Sequence, residues 1–529
     1  MFVPAKREQG RATGVWTVIC CLNFLILTVL VICAVIYSHP MFDSFNSRAE
    51  HLIAPISILL LAIAIWSVWS WRMLTGSLFD PYVLFLIAAI LFNGGQAFLE
   101  LFQLNQGGSL KDNLSVTQGG ILESQYPPKT ILETLFLVTL GLTAFHAGGL
   151  FSALLSNVGL QVKEIKTNKA NALSKAKALR LVGWGLLAIS FIPTFVLLNQ
   201  RFAVVLSSGY GALYQQDVAT GINAGPAVLA TFIIPASLFL LAGSKGYRLN
   251  IAISLATLLP YAIIMFFLGY RAWAVMPLIA YAWVYHRCIR PIPGMVLLGA
   301  GGILLVVLFP LISAVRNISG EKRLSLDVLW QAYLSIDNPA VSIISEMGGS
   351  MRTVADTLSL VPNIRDFDMG ESYFYGALTV IPNLFWEVHP SIVHGSLSDW
   401  LTKTVAPETA RSGGGLGFSF IAEAYLNFGW LGAPLALIIM GFLLAKLVFW
   451  AGKPGDPAKI AAVASFTSFV LLYARGDSSI IFRPFFWYAL IPYLGVHTLA
   501  LLMGPKLHMM SGRFRASRAY SATYFLGRK

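Results

Sequence analysis

Ten arginines fall on what the charge pattern makes one side of this chain: Arg48, Arg201, Arg271, Arg316, Arg323, Arg352, Arg365, Arg411, Arg475 and Arg483. Four lysines accompany them, whereas the other side carries 12 lysines and 11 arginines. A planar guanidinium grips two phosphate oxygens at once, while lysine acts as a point charge. An arginine-rich face therefore suits a phosphate-bearing substrate. The alternative is that these arginines snorkel to an interface or pair with the 11 acidic residues between positions 315 and 416.

Arg271 is distinct, because Phe-Phe-Leu-Gly269-Tyr270-Arg271-Ala-Trp surrounds it with apolar residues and gives it only a tight turn. A charge at membrane depth costs at least about 2.5–3.5 kcal/mol, so such residues usually face a cavity and serve function. The other reading is an interfacial arginine capping a helix C-terminus. Glu423, in Ser419-Phe-Ile-Ala-Glu423-Ala-Tyr425-Leu-Asn427-Phe-Gly429, marks the outer end of an apolar helix. A carboxylate there can take a proton from an acceptor hydroxyl, or it can be a buried partner that fixes the bundle.

Other patterns carry less. Arg411-Ser-Gly413-Gly414-Gly415-Leu-Gly417 lacks the closing G-K-[ST] of a phosphate loop and reads as a hinge. His389 and His394 stand five apart without a third ligand, so no metal site is expected, and a histidine base stays open. Tyr373, Phe374, Tyr375, Trp386 and Trp400 can stack on sugars or anchor an interface. Cys20, Cys21, Cys33 and Cys288 form no metal or disulfide spacing.

The elements that position these residues are apolar runs. Of 529 residues, 57% are hydrophobic and 12% charged, about half the charge of a soluble protein. Runs near 20 residues span a bilayer core. They fall at 15–37, 52–71, 81–103, 131–155, 181–199, 227–243, 249–268, 272–285, 293–314, 418–450, 459–474 and 485–503. The first is too long for a secretory h-region and reads as a retained span.

With both termini cytoplasmic, 23 of the 37 basic residues lie inside and 14 outside, seven of those in the long 315–416 segment that translocates regardless of sign. The net charge of +13 thus encodes topology, and no nucleic-acid partner is expected. The expected organisation is spans one to nine over 1–314, a large outer loop over 315–417, spans ten to twelve over 418–503 and a basic cytoplasmic tail over 504–529. Within the loop, Ile343, Met347, Met351, Val354, Leu358 and Val361 predict a helix ended by Pro362. Ser396-Leu-Ser-Asp399 predicts a capping box before Trp400, Leu401 and Val405. Amphipathic helices over the outer mouth of the bundle are expected.

The block Arg411–Gly432, RSGGGLGFSFIAEAYLNFGWLG, resembles the signature of bacterial O-antigen and oligosaccharide-repeat-unit polymerases of the Wzy type. Gly269-Tyr270-Arg271 resembles the family's G-x-R element, and Arg365 to Gly376 its R-x10-G spacing in the fifth outer loop. Arg201 to Gly211 falls one residue short of that spacing in the third. The resemblance extends to the whole topology.

It implies an all-α, GT-C-like membrane protein of about twelve helices in the bacterial inner membrane. The enzyme would move a growing undecaprenyl-pyrophosphate-linked glycan onto a lipid-linked repeat unit at the periplasmic face, without a cofactor. On that reading Glu423 is the base, with His389 and His394 as alternatives. Arg271, Arg316, Arg365, Arg411, Arg475, Tyr425 and Asn427 would hold substrate. The implied partners are lipid-linked oligosaccharides, the bilayer, and a chain-length regulator and flippase of the same pathway. An O-antigen ligase of the same layout stays open, as does a lipid-linked oligosaccharide flippase. Transporters usually show inverted repeats and broken midplane helices. A structural scaffold leaves Arg271 unexplained.

Overall fold

The computed structural model describes residues 6–37, 49–104, 126–156, 169–214, 225–318, 322, 325–383, 386–452 and 456–503. Arg48, Arg323, most of the 104–130 loop, part of the 200–226 loop and the basic tail over 504–529 lie outside the described residues. So does the side chain of Arg316, whose backbone belongs to a helix.

Every expected span is a helix. In chain order these are α1 (Lys6–Tyr37), α2 (Ala49–Thr75), α3 (Pro81–Leu101), α4 (Pro128–Leu155), α5 (Lys169–Ser208), α6 (Gly225–Ala242), α7 (Arg248–Phe267), α8 (Arg271–Val284) and α9 (Gly294–Ser313). The segment that follows forms α10 (Leu326–Leu334), α11 (Pro339–Gly348), α12 (Ser350–Leu360), α13 (Glu371–Leu378) and α14 (Leu397–Val405). The last apolar helices are α15 (Phe420–Gly452), α16 (Pro457–Tyr473) and α17 (Ser479–Met503). No strand occurs among the described residues. Ten of these helices are long and apolar enough to cross a membrane, while α8 and α16 are shorter.

The bundle is built around α4, of whose apolar window 89% is buried. Glycines on both helices let α15 approach: a β-carbon on Gly148 of α4 would strike the carbonyl of Ile438, and one on Gly441 of α15 the carbonyl of Phe145. Small residues at a helix crossing let backbones touch where apolar side chains gain nothing over lipid.

Two sequence expectations are corrected. The periodic run 343–361 is not one helix. It breaks at Gly349 into α11 and α12, and Val361 is extended. The reason is that α11 docks on the end of α3: Gly348 faces the Gln96 backbone, and Gln96 Nε2 donates to the Ser345 carbonyl at 2.8 Å. Likewise, the tenth span is not one continuous helix. Gly429 adopts φ 62° and ψ −163°, which separates a short first segment of α15, carrying Glu423, from the long remainder. Side chains other than glycine do not settle in that backbone region.

The capping expectation at Ser396 holds in part, since its Oγ accepts from the Asp399 amide at 3.1 Å. The amphipathic expectation for α14 also holds: Leu397, Leu401 and Val405 are buried. In α10 the row Leu326, Trp330 and Leu334 is exposed instead.

Candidate functional site

Breaking α15 at Gly429 leaves carbonyls at the end of its first segment without partners one turn on. The chain at 368–370 fills them. Asp368 N donates to the Leu426 carbonyl at 3.0 Å and Met369 N to the Asn427 carbonyl at 3.1 Å. Asn427 completes the join, accepting from Gly370 N at 2.8 Å and donating to Ser372 Oγ at 2.7 Å. The long segment is thus stitched onto the bundle where the signature block bends.

Glu423 lies beneath that seam and is fully buried. Its Oε1 accepts from Ser372 Oγ at 2.9 Å and Ser478 Oγ at 2.6 Å. Its Oε2 accepts from Tyr473 Oη at 3.0 Å and Ser478 N at 2.9 Å. Four donors saturate the carboxylate, and together they join α13, α15, α16 and the turn before α17. One step deeper, Ser419 Oγ donates to Asn93 Oδ1 at 2.6 Å, and Asn93 Nδ2 donates to the Ala474 carbonyl at 3.1 Å. Asp477 ties the same turn to α14, accepting from Leu397 N at 3.1 Å. Ser372, Tyr473, Asp477 and Ser478 carry no local signal in the sequence that connects them with Glu423. The Gly-Asp-Ser-Ser run announces a turn, not its partner.

The arginines separate into two groups. Four pair with carboxylates of the 315–416 segment. Arg271 forms an ion pair with Glu346 of α11, its Nη1 donating to Oε2 at 2.8 Å. Ser313 Oγ donates to the same oxygen at 2.7 Å. Arg365 is bidentate to Asp368, at 2.9 Å and 2.8 Å, and lies 4.4 Å over the Trp400 ring. Arg352 Nε stands 3.7 Å from Asp356, which also accepts from Tyr126. Arg411 pairs with Glu408 at 2.5 Å in the open.

Arg201 and Arg475, together with Arg271 and Arg411 of the first group, stand around three loops. Arg201, at the end of α5, lies 5.6 Å over the Tyr270 ring, and Tyr270 meets Tyr210 edge-on at 5.9 Å. A β-carbon at Gly211 would stand 4.0 Å from the Ser412 carbonyl, next to Arg411. Gly417 (φ 77°) closes this loop against Arg475, whose Nε would lie 3.3 Å from a β-carbon there. The turn 210–214, the turn 269–271 and the loop 411–417 therefore meet. Arg201, Arg271, Arg411 and Arg475 stand on or beside these neighbouring turns, which form one mouth, and Ser478 of the Glu423 network follows Arg475 by three residues.

The remaining candidates are placed apart or already engaged. Tyr425 is buried and donates to the Val361 carbonyl at 3.4 Å. His389 Nδ1 accepts from Ser391 N at 3.2 Å, capping a short helix, and Nε2 stands 3.1 Å from the Ile381 carbonyl. Both ring nitrogens are used. His394 stacks on Tyr375 at 4.3 Å, with Nδ1 3.1 Å from the Gly395 carbonyl. No group of three or more His, Cys, Asp or Glu arranged for a metal occurs among the described residues.

A helical bundle carrying ten apolar helices long enough to cross a membrane, with a helical segment stitched across it, defines a polytopic membrane protein. The family model for O-antigen polysaccharide polymerase Wzy matches residues 18–506, nearly the whole chain. The chain belongs to that family. No curated protein and no solved structure matches it.

Proposed function

We propose that this polysaccharide polymerase transfers a growing glycan from undecaprenyl pyrophosphate onto a lipid-linked repeat unit, at the periplasmic face of the inner membrane. The family match over 18–506 carries the reading, and the arginine mouth agrees with it. The leaving group is a pyrophosphate, and clustered guanidinium groups stabilise the charge that develops on it as the glycosidic bond breaks. Arg201, Arg271, Arg411 and Arg475 are the residues of this cradle. On this reading, a GT-C-like layout of about twelve spans with both termini cytoplasmic would put this cradle on the periplasmic side.

Glu423 is assigned here as a positioning residue. A base needs a lone pair aimed at the acceptor hydroxyl, and its oxygens already receive four donors. Its network fixes Ser478 and hence the turn that presents Arg475. Arg365 and Asn427 serve the same seam rather than the substrate.

The test is the glycan made by cells lacking this chain. A polymerase deletion leaves single repeat units exported and loses the ladder. A flippase deletion traps the units inside, and absence of any exported single repeat would overturn the assignment. An engineered cysteine at the exposed Ile392 should label from the periplasm, and one at Lys177 only after permeabilisation.

A further inference from the structure

A second site lies away from this mouth, where α5 enters the bundle. A groove of about 440 Å³ opens there between α5 and the turn joining α6 to α7. The ends of two spans, Ala242 and Arg248, flank that turn, so it stands at a membrane boundary. Arg180 is fixed at the same level. Its Nη1 donates to the Gly243 carbonyl at 2.7 Å, and its guanidinium lies 4.2 Å over the Tyr247 ring.

Lys177, Leu181 and Trp184 share one face of α5, at steps of four and three residues. Lys177 sits a turn outward of Leu181 and is exposed, while Leu181 (47%) and Trp184 (41%) are exposed on the membrane side. Tyr247 and Asn250 face them across the groove. The lining therefore pairs two cations and two polar groups at the boundary with an apolar wall running inward, and Leu173 adds one apolar side chain a turn outward of Lys177. No acidic side chain lines it.

We propose that this groove binds the headgroup of an anionic phospholipid, with its phosphodiester between Lys177 and Arg180 and an acyl chain along Leu181 and Trp184. Charge selects the ligand: a choline or ethanolamine headgroup would bring a cation against the fixed Arg180 and the exposed Lys177. The apolar wall separates a lipid from a free phosphate, which has no use for it. Basic clefts between spanning helices hold anionic headgroups by this division of labour. Arg180 is held in place before any lipid arrives, which lowers the ordering cost of binding. The inference needs only the membrane location and is independent of the polymerase reading.

The experiment is native mass spectrometry of the full chain in mild detergent, with phosphatidylglycerol or phosphatidylcholine added. The wild type should retain one phosphatidylglycerol under activation that strips phosphatidylcholine. Each removed charge should weaken retention about five-fold, from about 1 kcal/mol per basic residue near the surface. Lys177→Gln is the principal variant, because Lys177 is exposed and its loss spares the fold; Arg180→Gln also removes the tie to Gly243. A thermal-shift arm with inorganic phosphate should show no protection. Equal retention of the two lipids, unchanged retention in Lys177→Gln, or protection by phosphate equal to that by phosphatidylglycerol would each overturn the proposal.

Discussion

Glu423 and Ser478 are joined twice, the carboxylate accepting from the serine amide at 2.9 Å and from its hydroxyl at 2.6 Å. Of the four donors on this carboxylate, only the Ser478 amide cannot turn into an acceptor; the three hydroxyls can. Glu423→Gln therefore keeps the network, with its amide oxygen on the Ser478 amide and its nitrogen on hydroxyls. Glu423→Ala leaves buried donors unmatched, at about 1–3 kcal/mol each. The expected outcome is near-normal glycan ladders and monodisperse protein for Gln, and loss of folded protein for Ala. Polymerisation abolished in a well-folded Gln variant would return Glu423 to the role of base.

A second expectation concerns the bend. At Gly429 a side chain would need a backbone conformation costing about 1–3 kcal/mol, and its β-carbon would stand 3.3 Å from the Phe367 ring. Straightening α15 instead would reclaim the carbonyls that Asp368 and Met369 now use. Gly429→Ala should thus detach the 365–378 segment, lower the melting temperature and abolish long chains. Limited proteolysis should cut the variant within 365–390 first, and an unchanged digestion pattern would count against the stitching role.

The sequence located these features unevenly, for a physical reason. Spanning helices announce themselves because lipid demands unbroken apolar runs, so all twelve expected runs correspond to helices. The signature block also stood out, through residue types alone. What stayed hidden was pairing across distance. Ser372 and Ser478 lie 51 and 55 positions from Glu423, and a serine in a loop carries no mark of its partner. The periodicity over 343–361 was real but could not show a break at Gly349, because docking on α3 sets that break and periodicity does not. The arginine pattern was similar: residue type was legible, but Asp368 and Glu346 as partners were not.

A third expectation is a pH dependence outside the spans. Burial, the larger effect, pushes the Asp356 carboxyl up to about 6, against the opposing pull of the Tyr126 hydrogen bond and the Arg352 guanidinium. Between its ordinary value of 3.8 and about 6, the folded state holds a proton that the unfolded state has lost. Stability from this group is therefore full below that window and falls as pH rises through it. The ceiling is about 3 kcal/mol, at about 1.4 kcal/mol per unit. Melting temperatures of purified protein between pH 4 and 7 should show this decline, and Asp356→Asn should flatten it. A wild-type curve that rises over the same range would contradict the assignment.

Arg271 offers the sharpest test of the proposed mouth, because its ion pair with Glu346 admits two accounts. If the pair only fastens α11 to the α7–α8 turn, then losing either partner does equal harm, and exchanging them restores function. If Arg271 holds the pyrophosphate and Glu346 merely orients it, the two residues are not equivalent. Arg271→Ala should then abolish long chains, since the leaving group loses a cation. Arg271→Lys keeps the charge without the fork and should leave partial activity. Glu346→Gln keeps an acceptor for Ser313 and Arg271, so it should shorten chains only modestly. The exchanged pair, Arg271→Glu with Glu346→Arg, should fold yet remain inactive, because the cation has moved to α11. Purified variants supplied with synthetic lipid-linked repeats give the readout, with monodispersity as the folding control. Restored polymerisation in the exchanged pair would reduce Arg271 to a structural tie and leave Arg201, Arg411 and Arg475 to hold the leaving group.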